Sequence, residues 1–83
     1  MDNQNKIKAK GLGGYYMHEI IPNGTTFIFC KMEFRIVTSF YDKEDFHYVL
    51  ARFNKEYKCY FYEVWDADRV DLKMGNSFHY LDE

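Results

Sequence analysis

Between Thr25 and Thr38 the chain alternates with a period of two. Ile28, Cys30, Met32, Phe34 and Ile36 fall on one side, and Phe27, Phe29, Lys31, Glu33 and Arg35 on the other. Side chains of a strand point alternately to its two faces, so this is the pattern of a half-buried strand. The first row reads as a core face. The second is amphipathic, aromatic at one end and charged at the other. The stretch exceeds the ~5–6 residues usual for a strand, so a bend or bulge is expected near Lys31–Glu33.

Upstream, Tyr15 to Ile21 is rich in aromatic and β-branched residues and reads as a strand. "IPNGT" follows, with Pro, Asn and Gly in the order of a three-residue hairpin loop. That loop would place Ile21 opposite Thr25, Met17 opposite Phe29 and Tyr15 opposite Lys31. His18 would then lie opposite Ile28, one step from Cys30.

Downstream, Phe46, Val49, Leu50, Phe53 and Tyr57 recur at helical spacing. Asp42 suits an N-cap, and Lys55 and Lys58 suit the negative end of the helix dipole. A helix over about 42–57 is expected, packed on a sheet. "CYFYEVWD", Cys59 to Asp66, reads as a strand. Burying an unpaired Glu63 would be costly, so Tyr60, Tyr62 and Val64 are expected to face the helix, with Phe61, Glu63 and Trp65 turned away. Residues 67–74 fit either a strand or a short helix between Asp66 and Gly75; the strand reading is preferred because Gly75-Asn76 also suits a two-residue hairpin loop leading to Phe78, Tyr80 and Leu81.

The expected architecture is α+β: an antiparallel sheet of about four or five strands, in the order β-β-α-β-β-β, with one helix on one face. The 83 residues make one domain. Lys6, Lys8 and Lys10 place a flexible basic arm over residues 1–10, released by a "GLGG" hinge. A phosphate loop needs its glycines between a strand and a helix, a context "GLGG" lacks.

Composition changes the picture at one point. Aromatic residues make up 20% of the chain, too many for a domain this small to bury entirely. Charge is divided: residues 1–41 hold five Lys/Arg and three acids, residues 42–83 six and ten, for a net charge of −2. That balance argues against a duplex nucleic-acid binder. Cys30 and Cys59 are expected to be reduced thiols, Cys30 in a buried position, in a cytoplasmic protein. No apolar run approaches the ~20 residues of a membrane span, and "MDNQNKIKAK" lacks the apolar centre of a signal peptide.

No catalytic set emerges. His18, His47 and His79 lack paired zinc-ligand spacing, and His18 with Cys30 is the strongest metal pair. Neither metal nor other cofactor is expected. Asp66, Asp68 and Asp71 read as a solvated acidic turn, because the central Gly of a calcium loop is missing. What remains is the second sheet face, where Tyr15, Met17, Phe27, Phe29, Phe61 and Trp65 should converge with Lys31, Arg35 and Glu63 at their border. An uncovered apolar patch of this kind marks an interaction site. The expectation is a non-catalytic protein-binding module. It could take the form of a phage-type inhibitor of a larger enzyme or host defence system, or of a homodimer. A single-stranded nucleic-acid binder using sheet aromatics and the N-terminal lysines is the alternative.

Overall fold

The computed structural model describes residues 5–43 and 45–81. Six strands and one helix follow in the order β1 (Lys6–Gly11), β2 (Gly14–Glu19), β3 (Thr26–Phe29), β4 (Met32–Asp42), β5 (Asp45–Asn54), β6 (Cys59–Asp66) and α1 (Ala67–Met74). β1 and β2 form a two-stranded antiparallel sheet, and β3-β4-β5-β6 form a four-stranded meander. The class is α+β with a single helix against antiparallel sheet. No described helix is long and apolar enough to cross a membrane.

The helix, however, is not at 42–57. That segment holds strand β5, and the helix is α1. The stripe Phe46–Val49–Leu50–Phe53 has helical spacing, but Phe46, Tyr48 and Leu50 also alternate, and these three are buried together. β5 pairs with β4 on one side and β6 on the other. Both rows of its backbone groups are therefore satisfied in the ladders. A helix here would have left β4 and β6 each with an open edge.

The chain from Thr25 to Thr38 does not bend but reverses. Cys30 and Lys31 both have positive φ, 54° and 64°, and Phe29 pairs with Met32 across them. Two consecutive positive-φ residues make a type I′ turn, whose twist matches that of the flanking strands. Cys30 is consequently exposed at a tip, not buried. A break in the β4–β5 register between Ile36 and Thr38 then bulges out Val37.

"GLGG" is also a hairpin. Gly11 pairs with Gly14 and Leu12-Gly13 form the loop, so Lys6–Gly11 is a strand and not an arm. The part of the expected arm at residues 1–4 lies outside the described residues. β2 therefore pairs with β1, and His18 stands opposite Ile7. "PNG" does not close a hairpin: its Gly24 N–H bonds the Ile36 carbonyl at 2.7 Å and carries the chain from one sheet to the other.

α1 starts after Asp66 and stops at Gly75, left-handed at φ 80°, whose N–H bonds the carbonyls of Asp71 and Leu72. Beyond it, only an isolated bridge, Tyr16 to Tyr80, and a bond from Leu81 N–H to the Tyr15 carbonyl tie the tail to β2.

The core lies between one face of the large sheet and a second layer made of the β1–β2 hairpin, α1 and the tail. Phe27, Phe34 and Trp65 form its aromatic centre, with ring centroids 5.0–6.1 Å apart. Ala9, Tyr16, Ile36, Tyr48, Leu50 and Val70 fill the remainder. The outer face of the large sheet has no described element over it.

Candidate functional sites: an open sheet face and a buried polar cluster

Cross-strand pairs define the outer face. Opposite residues of an antiparallel ladder share a side. Arg35–Ala51–Tyr62, Thr38–Val49–Val64, Phe53–Tyr60 and Phe40–His47–Asp66 therefore stand together, away from the core. Ile28, Val37, Phe40, Phe53, Tyr60, Tyr62 and Val64 are all exposed there, between 40% and 73%. At the turn end, a groove of about 560 Å³ is lined by Ile28, Met32, Phe53 and Tyr60, and also by Lys31, Arg35, Arg52 and Lys55 against Glu33 and Glu56. Phe53 and Tyr60 meet edge to face at 5.2 Å. At the other end His47 Nδ1 lies 2.7 Å from the Asp66 carboxylate.

An open face therefore exists, but its residues differ from those expected. Of the nine proposed from sequence, Arg35 lies on it and Lys31 borders it. Trp65 and Phe27 are core residues, 3% and 9% exposed. Phe29 is half-buried, with Lys73 of α1 over its ring at 4.6 Å. Tyr15 and Met17 belong to the small sheet, on the side turned away from the core, where Lys8 lies 4.8 Å above the Tyr15 ring. Phe61 and Glu63 point to the inner side.

The reversal of β6 has a clear cause. Glu63 is not an unpaired charge: Arg52 Nε and Trp65 Nε1 both donate to it at 2.9 Å. The bond from Arg52, then that from Trp65, holds its carboxyl below its ordinary value. With the acid paired, nothing kept its face outward, and the larger Trp65 went to the core. Tyr60, Tyr62 and Val64 were left outside. The signal that could have found this was Arg52, whose position on the neighbouring strand matches an inward Glu63.

A second site was not legible as a site. Ile21 N–H donates to the Tyr48 hydroxyl at 2.9 Å, and that hydroxyl bonds His18 Nε2. His18 Nδ1 meets Asp71 Oδ2 at 2.9 Å. Tyr16 donates to the same oxygen at 2.7 Å, and Asn76 donates to Oδ1 at 3.1 Å. The directions are mutually consistent: the Tyr48 proton goes to Nε2, which places the ring proton on Nδ1, facing the carboxylate. Asp71 is thus buried and bonded, not part of a solvated turn. Burial pushes its carboxyl up, but the bonds from His18, Tyr16 and Asn76 outweigh that and hold it below its ordinary value. Burial pushes the Tyr48 hydroxyl up to about 12. It raises Tyr16 further, together with the bond to Asp71.

A carboxylate, imidazole and hydroxyl in series is also the geometry of a nucleophile relay. A cavity of about 320 Å³ reaches Tyr16, His18 and Asp71, but Tyr48 is not among its lining residues and is fully buried. A hydroxyl that no substrate reaches, and whose proton is held more tightly than usual, is a poor nucleophile. The cluster acts as a clamp joining β2, β5 and α1. It also removes His18 from the expected pairing with Cys30, because both ring nitrogens are already engaged. No group of three or more metal-binding side chains occurs among the described residues. No protein-family model, curated protein or solved structure matches the chain.

Proposed function

We propose that the protein is a non-catalytic protein-binding module that works through the outer face of its four-stranded sheet. The observation that carries this reading is the run of exposed apolar side chains from Phe40 to Tyr60, uncovered by any described element. Contiguous exposed apolar patches mark interaction sites. The groove limits the partner. With Arg52 already paired to Glu63, Lys31, Arg35 and Lys55 stand against two acids among apolar walls, which suits a protein surface that presents an acidic side chain flanked by apolar ones. A small inhibitor of a larger enzyme, of the kind phages encode, would have this form. The two exposed free thiols support a reducing, cytoplasmic setting.

Affinity capture followed by titration calorimetry on the identified partner tests the reading. Phe53→Ala and Tyr60→Ala are each expected to weaken binding by more than ~1 kcal/mol. Met17→Ala, on the far surface, should bind as the parent does. Equal binding by all three variants would remove the outer face from consideration.

The nucleic-acid reading keeps only part of its basic set beside the aromatics: Lys31 and Arg35 border the outer face, and the N-terminal lysines do not. Lys6, Lys8 and Lys10 lie on the opposite side of the two layers from the outer-face aromatics, so one strand lying along the sheet could not use both sets. A labelled oligonucleotide is expected to show no salt-sensitive binding at micromolar protein.

A further inference from the structure

The edge of the large sheet leads beyond that reading. An exposed edge offers unpaired N–H and C=O groups to another chain, and proteins blunt such edges with lysine, proline, bulges, short strands or inward-pointing charges. The other edges here are blunted. β1 carries Lys6, Lys8 and Lys10. β2 is covered in part by the Tyr80 bridge and the Leu81 bond. β3 has four residues. The part of β4 that runs past β3 begins with the Val37 bulge. β6 carries only one such device, the inward-pointing Glu63, and that charge is already bonded by Arg52 and Trp65. Its eight residues contain no Lys, Pro or Gly, it pairs with β5 without a register break, and no described strand lies on its other side.

We propose that two copies of the chain pair antiparallel through β6, with the twofold axis at Tyr62. Symmetry makes such a contact self-complementary, and the length and charges of the strand select the register. With the axis at Tyr62, Tyr60 lies opposite Val64 of the second copy and Phe61 opposite Glu63. At both ends of the contact Asp66 then comes beside Lys58, the turn residue just before the strand. Side-chain alternation restricts the other registers to axes on neighbouring residues. An axis at Phe61 pairs only residues 59–63 of the strand with their copies, because residues 55–58 form a turn, and one at Glu63 sets the two Glu63 side chains against each other. The first shortens the contact and the second sets like charges directly opposite, which is destabilising, so both neighbours are disfavoured. At the Tyr62 axis Glu63 enters the contact already bonded to Arg52 and Trp65, so no unpaired charge is buried. The result is a continuous eight-stranded sheet. Tyr60, Tyr62 and Val64 of both copies then form the middle of one outer face. The pairing uses an edge, and holds whether or not the face binds a further protein.

Light scattering tests the dimer, and cysteine trapping tests its register. An edge contact is small, so the mass is expected to rise from 10.1 kDa toward twice that value across the micromolar range. Lys58→Asp should raise the dimer dissociation constant at least tenfold. Its backbone is left-handed at φ 56°, a region Asp tolerates. Adding Asp66→Lys should restore association; Asp66 makes no side-chain capping bond, and since the exchange gives up its contact with His47, the Asp66→Lys single variant is melted alongside as the stability control. In a background of Cys30→Ser and Cys59→Ser, Tyr62→Cys should form a disulfide-linked dimer on oxidation, because directly opposite residues are within disulfide reach. Phe53→Cys should not. A mass of 10.1 kDa at every concentration overturns the proposal. So does a dimer trapped through Phe53→Cys but not Tyr62→Cys, which would put the outer faces, not the edges, together.

Discussion

Tyr48 and Asp71 show how single side chains hold the two layers together. The Tyr48 hydroxyl serves both the Ile21 N–H and His18 Nε2, so Tyr48→Phe strands two buried groups. Each unsatisfied group costs about 1–3 kcal/mol. Thermal melting is expected to show a fall of roughly 4–8 °C per kcal/mol for a domain of this size. The parent should also lose stability in alkali. A hydroxyl raised in the folded state stabilises the fold below its unfolded value of about 10. That contribution disappears as pH rises through about 12, and Tyr48→Phe should flatten this limb of a pH–stability curve.

Asp71 gives the opposite sign. Its folded value is depressed, so its contribution is present above the unfolded carboxylate value of about 3.9 and fades as pH falls through the folded one. Asp71→Asn should therefore lower stability at neutral pH and flatten the loss that the parent shows in denaturant titrations below about pH 5. None of this was legible in "HEI" or "RVDL". An acid and a histidine 53 positions apart in sequence reveal nothing of their contact until the chain folds.

At the scale of elements, the strongest periodic signal was ambiguous. Phe46, Val49, Leu50 and Phe53 satisfy a helical stripe, while Phe46, Tyr48 and Leu50 satisfy a strand face. Tertiary pairing on both edges decided between them. The short helix after Asp66 was legible through its ends, an N-cap candidate and a terminal glycine, although alternation favoured a strand there. The type I′ turn at Cys30–Lys31 was not legible, because neither residue is a usual turn former. Both sit in the left-handed region, which costs a non-glycine residue roughly 1–2 kcal/mol. Lys31→Gly should relieve part of that cost, raising the melting temperature by a few degrees in calorimetry. Gly14, at φ 122°, is the converse case: Gly14→Ala should lower it.

For the whole molecule, the inner and outer faces of one strand predict opposite outcomes. Trp65→Ala removes a ring packed against Phe27 and Phe34 and is expected to cost about 3–5 kcal/mol. Tyr62→Ala, at a residue 66% exposed, should stay within about 0.5 kcal/mol in dilute protein, as chemical denaturation would show. If the order were reversed, the faces of β6 would be reversed as well.

The sequence by itself determined the α+β class, the antiparallel strands at β2 and β6, and an excess of aromatic surface that one small core cannot bury. Those conclusions rest on local alternation and composition, which any segment carries with it. The tertiary structure decided the helix position, the hairpin partners and the side of the sheet left open. Each depended on long-range pairings, between β4, β5 and β6, between Arg52 and Glu63, and between His18 and Asp71. An amphipathic segment gains the same burial from several partners, and only the assembled core selects one.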